Sequence, residues 1–172
     1  MKNKIVPDTS AIIEGIVSEM INKKEIKKTT TILIHNAVLA ELEHQANFGK
    51  EIGFNGLGEL RKLNELSKKN KIKLKYVGER PTEFQIKYAK GGEIDALIRN
   101  VALDEDALFI TLDRVDAETA RAVGIEVKFV ETEKMPSKLS FERYFSKDTM
   151  SVLIREDSKV TAKKGVPGNW RL

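Results

Sequence analysis

The chain has 172 residues, with 30 Lys and Arg against 26 Asp and Glu, a net charge of +4. Its hydrophobic fraction of 41% and charged fraction of 33% are typical of a globular protein, long enough for one cored domain and an appendage. The lack of cysteine excludes disulfides, thiolate zinc sites and cysteine nucleophiles, and no apolar run is long enough to span a membrane. We expect a cytoplasmic protein without a membrane partner. Its mild positive charge permits a nucleic-acid partner without requiring one.

Five short apolar runs predict strands along the first 130 residues. Several are apolar on successive residues, as in parallel strands that are covered on both faces. The runs are Ile5-Val6, Ile32–Ile34, Ile72–Val77, Ala107–Ile110 and Val127–Val130. Because helical patterns lie between them, we expect an α/β fold, a three-layer α/β/α sandwich around an open, mainly parallel central sheet.

The segments between the strands carry apolar residues at helical spacing. The helix after the second strand holds Glu41 at the margin of its apolar stripe. A later helix follows the breaker Gly91-Gly92 and has Asp95 in its first turn. The other expected helices cover Ile12–Ile21, Leu57–Leu66 and Ala117–Val123, the last closed by Gly124.

The alternation stops before the last quarter of the chain. We therefore predict a domain of residues 1–132 and a C-terminal extension of residues 133–172. Within the extension, Ser140–Tyr144 fits a short helix, Met150–Arg155 fits a further strand, and Lys163–Gly168 is typical of a linker. Since the chain ends directly after that linker, we expect a fragment of a longer protein.

Four acidic residues are predicted to meet at one edge of the sheet. Asp8 follows the first strand, Asp113 follows the fourth, and Glu41 lies early in the helix after the second strand, so these three lie at one edge. Asp95 joins them if its helix starts at the same edge. Each acid alone fits a helix-capping role, and Glu43 lies at the margin of its helix as Glu41 does. Four converging acids repel one another unless a cation compensates, so we favour a metal site. All-oxygen ligation indicates Mg²⁺ or Mn²⁺ rather than zinc.

Four motifs surround these acids in order along the chain. They are Ile5–Ser10, the helical Glu41, Gly92–Ala96 and Ile110–Asp113. In order and spacing they resemble the acidic motifs of the PIN-domain nucleases, over roughly the first 130 residues. The resemblance, unlike the periodicity, selects Glu41 over Glu43. It implies a metal-dependent nuclease acting on RNA or DNA. The implied catalytic and metal-binding set is Asp8, Glu41, Asp95 and Asp113, with Thr9, Ser10 and Thr111 as nearby hydroxyls.

The extension carries Ser140–Phe145, Met150–Val152 and Lys163–Trp170. These segments resemble the region that joins the PIN domain to the ATPase in archaeal PIN-domain ATPases, hexamers with a motor like that of pilus-retraction ATPases. The resemblance implies an ATPase domain and a nucleotide site outside this chain, since no G-x-x-x-x-G-K-[ST] motif occurs here. It also implies a homo-oligomer. The small toxin nucleases lack such a tail, so we expect no antitoxin partner.

Other interpretations stay open at this stage. The domain could be a non-catalytic nucleic-acid-binding or oligomerisation module, and the apolar tail could pack on a neighbouring subunit or fold back on its own domain. A haloacid-type phosphatase would require a second acid where Ser10 stands, and a receiver domain would leave Glu41 unexplained. Asp116 has no assigned role.

The remaining polar and aromatic candidates favour ordinary structural roles. We expect His35 and His44 to be a strand-terminal residue and an exposed bystander, respectively, rather than metal ligands. The lysines of Lys23–Lys28 and Lys68–Lys75 fit a solvated face better than a nucleic-acid path. We expect three aromatic residues to pack in the core or under a lid rather than stack on bases, namely Phe54, Phe84 and Tyr88.

Overall fold

A computed structural model describes residues 2–89, 92–131 and 141–171 of the chain. The chain divides into two compact units, Met1–Glu131 and Thr132–Leu172. The first unit holds a five-stranded sheet and the second a three-stranded sheet. No helix in the described ranges is both long enough and apolar enough to cross a membrane.

The central sheet of the first unit is parallel throughout, in the order β3-β2-β1-β4-β5. Its strands are β1 Lys4–Pro7, β2 Thr31–His35, β3 Lys73–Val77, β4 Leu108–Thr111 and β5 Val127–Phe129. All five predicted strands are present, and the predicted α/β fold with an open parallel sheet is confirmed. Because the chain winds outward from β1 to β3 and then returns to β4, the winding changes direction between β1 and β4. Open α/β sheets have their ligand crevice at such a switch point, outside the carboxyl ends of the strands.

Seven helices of the described residues flank this sheet. They are α1 Thr9–Ile13, α2 Ile16–Asn22, α3 Asn36–Asn47, α4 Glu51–Asn70, α5 Glu83–Tyr88, α6 Glu93–Asp104 and α7 Arg114–Ala122. The core includes the inner strands β1 and β4, where Ile5, Val6, Phe109 and Ile110 are inaccessible to solvent. Burial of these large apolar side chains fixes β1 and β4 side by side, and with them the residues that follow each strand.

The single helix predicted across Ile12–Ile21 is wrong, because the chain forms α1 and α2 there. Gly15 separates the two helices with φ at 66°, a left-handed conformation that glycine adopts without steric strain. The apolar spacing continues across the break, so periodicity alone could not reveal it. The first turn of the short helix α1 lies directly after the carboxyl end of β1.

The second unit contains β6 Thr149–Leu153, β7 Thr161–Val166 and β8 Asn169–Arg171 in an antiparallel sheet. The strand predicted near Met150 is therefore present, and a 3₁₀ turn at Glu142–Tyr144 occupies part of the predicted short helix. Ser140, the start of that prediction, lies outside the described residues.

The predicted linker at Lys163–Gly168 is wrong. Its first residues belong to β7, and Pro167-Gly168 forms the turn that leads into β8. Gly168 has φ at 87°, which suits the third position of a type II turn after proline. Lysines and glycines are weak signals for a strand, so the composition of this segment indicated a linker.

The prediction that Phe54, Phe84 and Tyr88 pack in the core is also wrong. All three side chains are more than half exposed. Phe84 and Tyr88 lie one turn apart on α5, with ring centroids 4.6 Å apart, so they pack on each other rather than in the interior.

Candidate functional site

Asp8 lies at the carboxyl end of β1, at the switch point of the sheet. It is the N-cap of α1 and is only 3% exposed. Its carboxylate accepts hydrogen bonds from the Ala11 amide at 2.7 Å, the Ser10 hydroxyl at 2.8 Å and the Thr111 hydroxyl at 2.6 Å. Burial raises the pKa of Asp8, and the three hydrogen bonds oppose that rise. Asp8 is thus a buried carboxylate held by neutral donors.

Two hydroxyl groups tie Asp8 to the loop that follows β4. Thr111 Oγ1 donates to Asp8 and accepts from the Asp113 amide at 2.9 Å. Ser10 Oγ donates to Asp8 and accepts from the Leu112 amide at 3.0 Å. The ends of β1 and β4 are therefore joined by side chains as well as by the strand ladder, which restricts the orientation of the Asp8 carboxylate.

Asp113 follows β4 and is the N-cap of α7. Its Oδ1 accepts from the amides of Val115 at 2.7 Å and Asp116 at 3.0 Å. The capping role is therefore real, and Oδ2 takes no part in it. Unlike Asp8, Asp113 is exposed to solvent, so one of its oxygens can accept another partner.

The side chains of Glu41 and Glu43 project from α3 into different environments. Glu41 is partly buried, and its Oε2 accepts from the Thr9 hydroxyl at 2.7 Å. Burial raises the pKa of Glu41, the Thr9 bond lowers it, and the charges of Asp95 and Asp8 raise it further. Glu43 instead forms an ion pair with Arg80, and both partners are substantially exposed. Glu41, not Glu43, faces the other acids.

Asp95 lies in the first turn of α6 and is partly buried. Burial raises its pKa, the positive charge of Arg99 lowers it, and the charge of Asp113 raises it. The four predicted acids thus influence one another across the carboxyl edge of the sheet. Sequence reasoning placed Asp8, Glu41 and Asp113 at that edge from the topology, and Asp95 only on the condition that its helix starts there.

A fifth acid, Asp116, joins this group from the first turn of α7. It is buried and forms an ion pair with Arg99, whose side chain is 14% exposed. Burial, followed by the charge of Asp95, raises the pKa of Asp116 to about 6, although Arg99 opposes the rise. Sequence reasoning left Asp116 unassigned and missed Arg99. The sequence signal that was available for Arg99 is its position one helical turn after Asp95 on α6.

The acidic group, defined as Asp8, Glu41, Asp95, Asp113 and Asp116, is short of positive charge. Across the described residues, the first four form no ion pair, and Arg99 pairs with the fifth. In the same ranges, no three His, Cys, Asp or Glu side chains approach closely enough to form a ready metal site. The carboxylate oxygens are nevertheless the donors that a hard divalent cation prefers, and such a cation would relieve their repulsion.

The two histidines have local structural roles. His35 is buried at the end of β2 and caps α3, where its Nδ1 accepts from the Ala37 amide at 2.8 Å. Burial lowers the pKa of His35. His44 packs against Phe48, with ring centroids 4.7 Å apart. His35 is therefore the strand-terminal polar residue that the sequence predicted.

A groove of about 620 Å³ opens between α5 and α6. Its walls include the aromatic pair Phe84 and Tyr88, three acids, Glu79, Glu93 and Asp104, and one arginine, Arg80. Three acids against one arginine give the walls a net negative charge, which disfavours a nucleic-acid backbone.

The chain is similar to known proteins. Residues 5–122 match the family model of the PIN domain. A KH and PIN-domain containing protein of Methanocaldococcus jannaschii is 44% identical over 169 residues, which covers 98% of this chain and 26% of that protein. The Holliday junction branch migration ATPase PINA of Sulfolobus acidocaldarius is 27% identical over 167 residues, covering 97% of this chain and 30% of that protein.

A solved structure is also similar to this chain. It is a domain of a functionally unknown protein from M. jannaschii, and it superposes with a TM-score of 0.74 at 44% identity, covering 79% of this chain and 96% of that one. The chain spans 26% and 30% of the length of the two curated relatives. The PIN domain is generally a nuclease fold. Since the family match extends over most of the first unit, this chain belongs to the PIN domain family.

Proposed function

We propose that this chain is a divalent-metal-dependent phosphodiesterase that cleaves RNA, or DNA, internally, with Mg²⁺ or Mn²⁺ as its cofactor. The observation that carries the proposal is the acidic group at the switch point of the sheet. Burial raises the pKa values of Asp8, Glu41 and Asp95, and none of these three carboxylates forms an ion pair with another described residue. A folded protein keeps such an arrangement at a cost in stability, which a bound cation would offset.

The donor chemistry fits a hard cation. Asp8, Glu41, Asp95 and Asp113 offer only carboxylate oxygens, and Mg²⁺ commonly retains waters between itself and such ligands. We assign Asp8 and Asp113 as primary ligands, and Glu41 and Asp95 as ligands that complete the coordination directly or through water. A bound divalent ion supplies the positive charge that activates an attacking water and stabilises the leaving oxygen.

The surrounding side chains hold these carboxylates in place. The hydroxyls of Ser10 and Thr111 fix Asp8 from two sides, and the hydroxyl of Thr9 fixes Oε2 of Glu41. Such bonds restrict rotation of the carboxylates and favour their charged forms. Because Asp8 is buried, its orientation is set by the protein and not by solvent. We assign Thr9, Ser10 and Thr111 as positioning residues for the acids.

A second candidate function follows from the relatives. The Sulfolobus relative is named a Holliday junction branch migration ATPase, and it extends well beyond the part that this chain matches. On this alternative, the chain is a non-catalytic nucleic-acid-binding or oligomerisation domain of a larger cytoplasmic ATPase, and the acidic group only retains a metal. The nuclease proposal also places the chain in such a homo-oligomeric ATPase, without an antitoxin partner.

A pair of variants on one helix tests the nuclease proposal. Glu41→Gln and Glu43→Gln make the same chemical change two residues apart, but only Glu41 belongs to the acidic group, whereas Glu43 pairs with Arg80. We expect the parent chain to cleave a labelled single-stranded RNA in Mn²⁺ and to lose this activity in EDTA. Glu41→Gln should lower the cleavage rate at least about hundredfold, consistent with loss of a metal ligand or its positioning, whereas Glu43→Gln should keep it within about twofold.

The result that contradicts the proposal is equally specific. If the purified parent binds Mn²⁺ by calorimetry but cleaves neither RNA nor DNA, the non-catalytic alternative is correct. Equal loss of activity in Glu41→Gln and Glu43→Gln would instead mean that the residues of the acidic group are wrongly assigned. Thermal unfolding of each variant separates either result from a failure to fold.

A further inference from the structure

The acidic group extends along the carboxyl edge of the sheet instead of surrounding one point. Glu41 lies on α3, which follows β2, whereas Asp113 and Asp116 belong to the start of α7, which follows β4. Since β1 lies between β2 and β4 in the strand order, the ends of these two strands are roughly 10 Å apart. Two-metal sites hold their ions about 3.5 to 4 Å apart. The edge is therefore long enough for more than one divalent ion.

The two ends of the acidic group differ in their ion pairing. Burial is the main cause that raises the pKa values of Glu41 and Asp116, and the charges of Asp95 and Asp8 raise both values further. The same two acids thus act on both ends of the group. Among the described residues, only the Asp116 end has an ion-pair partner, the guanidinium of Arg99. One end of the group therefore already contains a positive charge of the protein itself.

The Arg99 and Asp116 pair is held by two helices. Arg99 lies on α6 and Asp116 in the first turn of α7, and their side chains are 14% and 9% exposed. The backbone amide of Asp116 also donates to Asp113 Oδ1 at 3.0 Å, which fixes the start of α7. Separation of a buried pair leaves an uncompensated charge, so the pair stays closed in the folded protein.

The charge of Arg99 also acts on Asp95, which lies one helical turn earlier on α6. Burial raises the pKa of Asp95, and the guanidinium of Arg99 is the largest opposing cause. Arg99 therefore lowers the repulsion at two acids of the group, one on each helix. A divalent ion at this end of the group would have the same effect.

We propose that the guanidinium of Arg99 takes the place of a second divalent ion, so that the acidic group binds one ion and not two. This inference rests on the metal site of the proposed function and adds the number of ions. The guanidinium is a fixed positive charge at the Asp116 end, and it repels any cation that approaches that end. The single ion is held by the other four carboxylates of the group.

The competing role for Asp116 is that of a direct metal ligand. Its Oδ1 accepts a hydrogen bond from Arg99, so the metal would have to bind Oδ2. The affinity of a site for a hard cation depends on the charge of its ligands, and a carboxylate that a guanidinium neutralises contributes little net charge. Four carboxylates without ion-pair partners among the described residues are available to the ion instead.

The experiment counts the Mn²⁺ ions that bind to the full chain. The protein is stripped of metal with EDTA, dialysed and titrated with Mn²⁺, while electron paramagnetic resonance measures the free ion. Calorimetry gives the number of sites and the Kd independently of any cleavage. We expect one ion per parent chain up to millimolar Mn²⁺.

Three single variants test whether the charge of Arg99 sets this number. Arg99→Gln removes the guanidinium but keeps the Asp116 carboxylate, so we expect two ions per chain. Arg99→Lys keeps a positive charge at the same position and should bind one ion. Arg121→Gln is the matched control, because it removes the same charge from an exposed pair with Glu118 on α7. It should also bind one ion.

A double variant keeps the test valid if Arg99→Gln alone fails to fold. Arg99→Gln with Asp116→Asn replaces both charges of the buried pair by neutral amides, which avoids an uncompensated charge. We expect one ion with a Kd within about threefold of the parent value, whereas loss of a metal ligand or its support raises the Kd by about ten- to hundredfold. Thermal unfolding shows which variants are folded.

Each contrary result overturns the proposal. Such results are two ions in the parent, in Arg99→Lys or in Arg121→Gln, any number other than two in folded Arg99→Gln, and tenfold weaker binding by the double variant. The proposed function is tested separately. A parent that binds one ion but cleaves neither RNA nor DNA contradicts the nuclease and leaves the ion number intact. Cleavage by a parent with two ions contradicts only the ion number, and a parent that binds no Mn²⁺ contradicts both.

Discussion

Acidic residues at the amino-terminal edge and at the carboxyl edge of the five-stranded sheet have opposite pKa shifts. At the amino-terminal edge, before β4, Asp106 accepts a hydrogen bond from Lys2 at 2.6 Å and Glu105 accepts one from Lys4 at 2.7 Å. Those bonds lower the pKa values of both acids. At the carboxyl edge, burial raises the pKa values of Asp8 and other members of the acidic group. Acidic residues of the same unit therefore have lowered pKa values at one edge and raised pKa values at the other.

The difference teaches how a site is distinguished from a solvated surface. Exposed, paired acids such as Asp106 contribute little to stability and can be replaced at little cost. Buried acids without counterions are unfavourable for the folded apo-protein, so their presence indicates a partner of positive charge. The number of carboxylates at an edge does not distinguish a site from a solvated surface. Their burial and their lack of counterions do.

The largest expected contrast is in catalysis. Asp8→Asn removes one charge at constant shape and keeps the N-cap of α1, since asparagine caps helices well. We expect it to lower the rate of RNA cleavage in Mn²⁺ by about a thousandfold or more, because the charge that would hold the ion is lost. Asp106→Asn makes the same change at the amino-terminal edge and should leave the rate unaltered. Cleavage by purified Asp8→Asn at the parent rate would remove Asp8 from the site.

Metal binding should stabilise the protein through the carboxyl edge alone. At a hundred times its Kd, Mg²⁺ or Mn²⁺ should add about 2.7 kcal/mol to the free energy of unfolding by ligand linkage. Asp8→Asn combined with Asp113→Asn should abolish this gain. The matched pair Glu105→Gln with Asp106→Asn should retain it. Calorimetric melting with and without metal measures both, and equal stabilisation of the two double variants would place the ion elsewhere.

The pH dependence of stability should have opposite signs at the two edges. Folding raises the pKa of Asp116 from 3.8 to about 6, so the folded state binds that proton more tightly than the unfolded state. The resulting penalty is complete above about pH 7, and the free energy of unfolding rises as the pH falls through 6. The lowered pKa values of Glu105 and Asp106 act in reverse, and their contribution is lost as the pH falls through the acidic range.

Asp116→Asn isolates this effect. We expect the variant to lose on the order of 1 kcal/mol of the stability gained between about pH 7 and pH 5, measured by urea unfolding in EDTA. Asp106→Asn should follow the parent over the same range, because its own titration lies at lower pH. A parent and an Asp116→Asn variant with parallel pH profiles would show that Asp116 titrates normally in the folded state.

Sequence patterns predicted the sheet and the edge at which the acids lie, and the reasons are physical. Apolar strands such as Ile32–Ile34 and Ala107–Ile110 must be buried on both faces, and parallel connectivity then brings the carboxyl end of every strand to one edge. The break at Gly15 escaped prediction because it lies within an unbroken apolar stripe. The strand at Thr161–Val166 escaped because two lysines and a glycine hide the alternation on which strand prediction depends.

The details of the candidate site were less accessible than the fold. Helical periodicity could not separate Glu41 from Glu43, since both lie at the margins of one stripe. Tertiary contacts distinguish them, because Thr9 approaches Glu41 from another element while Arg80 approaches Glu43. The Arg99 and Asp116 pair joins two successive helices that are separated by β4, so it too depends on tertiary packing.

The smallest expected effect concerns the contact between Thr9 and Glu41. Thr9→Val keeps the shape of the side chain and removes only the hydroxyl that donates to Glu41 Oε2. The stability of the fold should change by less than about 1 kcal/mol, the usual net contribution of one such bond. The cleavage rate should fall by about tenfold, as for other bonds that orient a metal-binding carboxylate. Thr9→Ser restores the hydroxyl and should restore the rate.

The pH profile separates this positioning role from a loss of packing. The Thr9 bond lowers the pKa of Glu41, so in Thr9→Val that pKa should rise and the acidic limb of the rate profile should move to higher pH. The Thr9→Ser profile should coincide with that of the parent. A variant that is merely less well packed would lose rate equally at every pH. A Thr9→Val profile parallel to that of the parent would therefore show that Thr9 supports the helix and not the carboxylate, and the contrast between the two edges would then depend on burial of the acids alone.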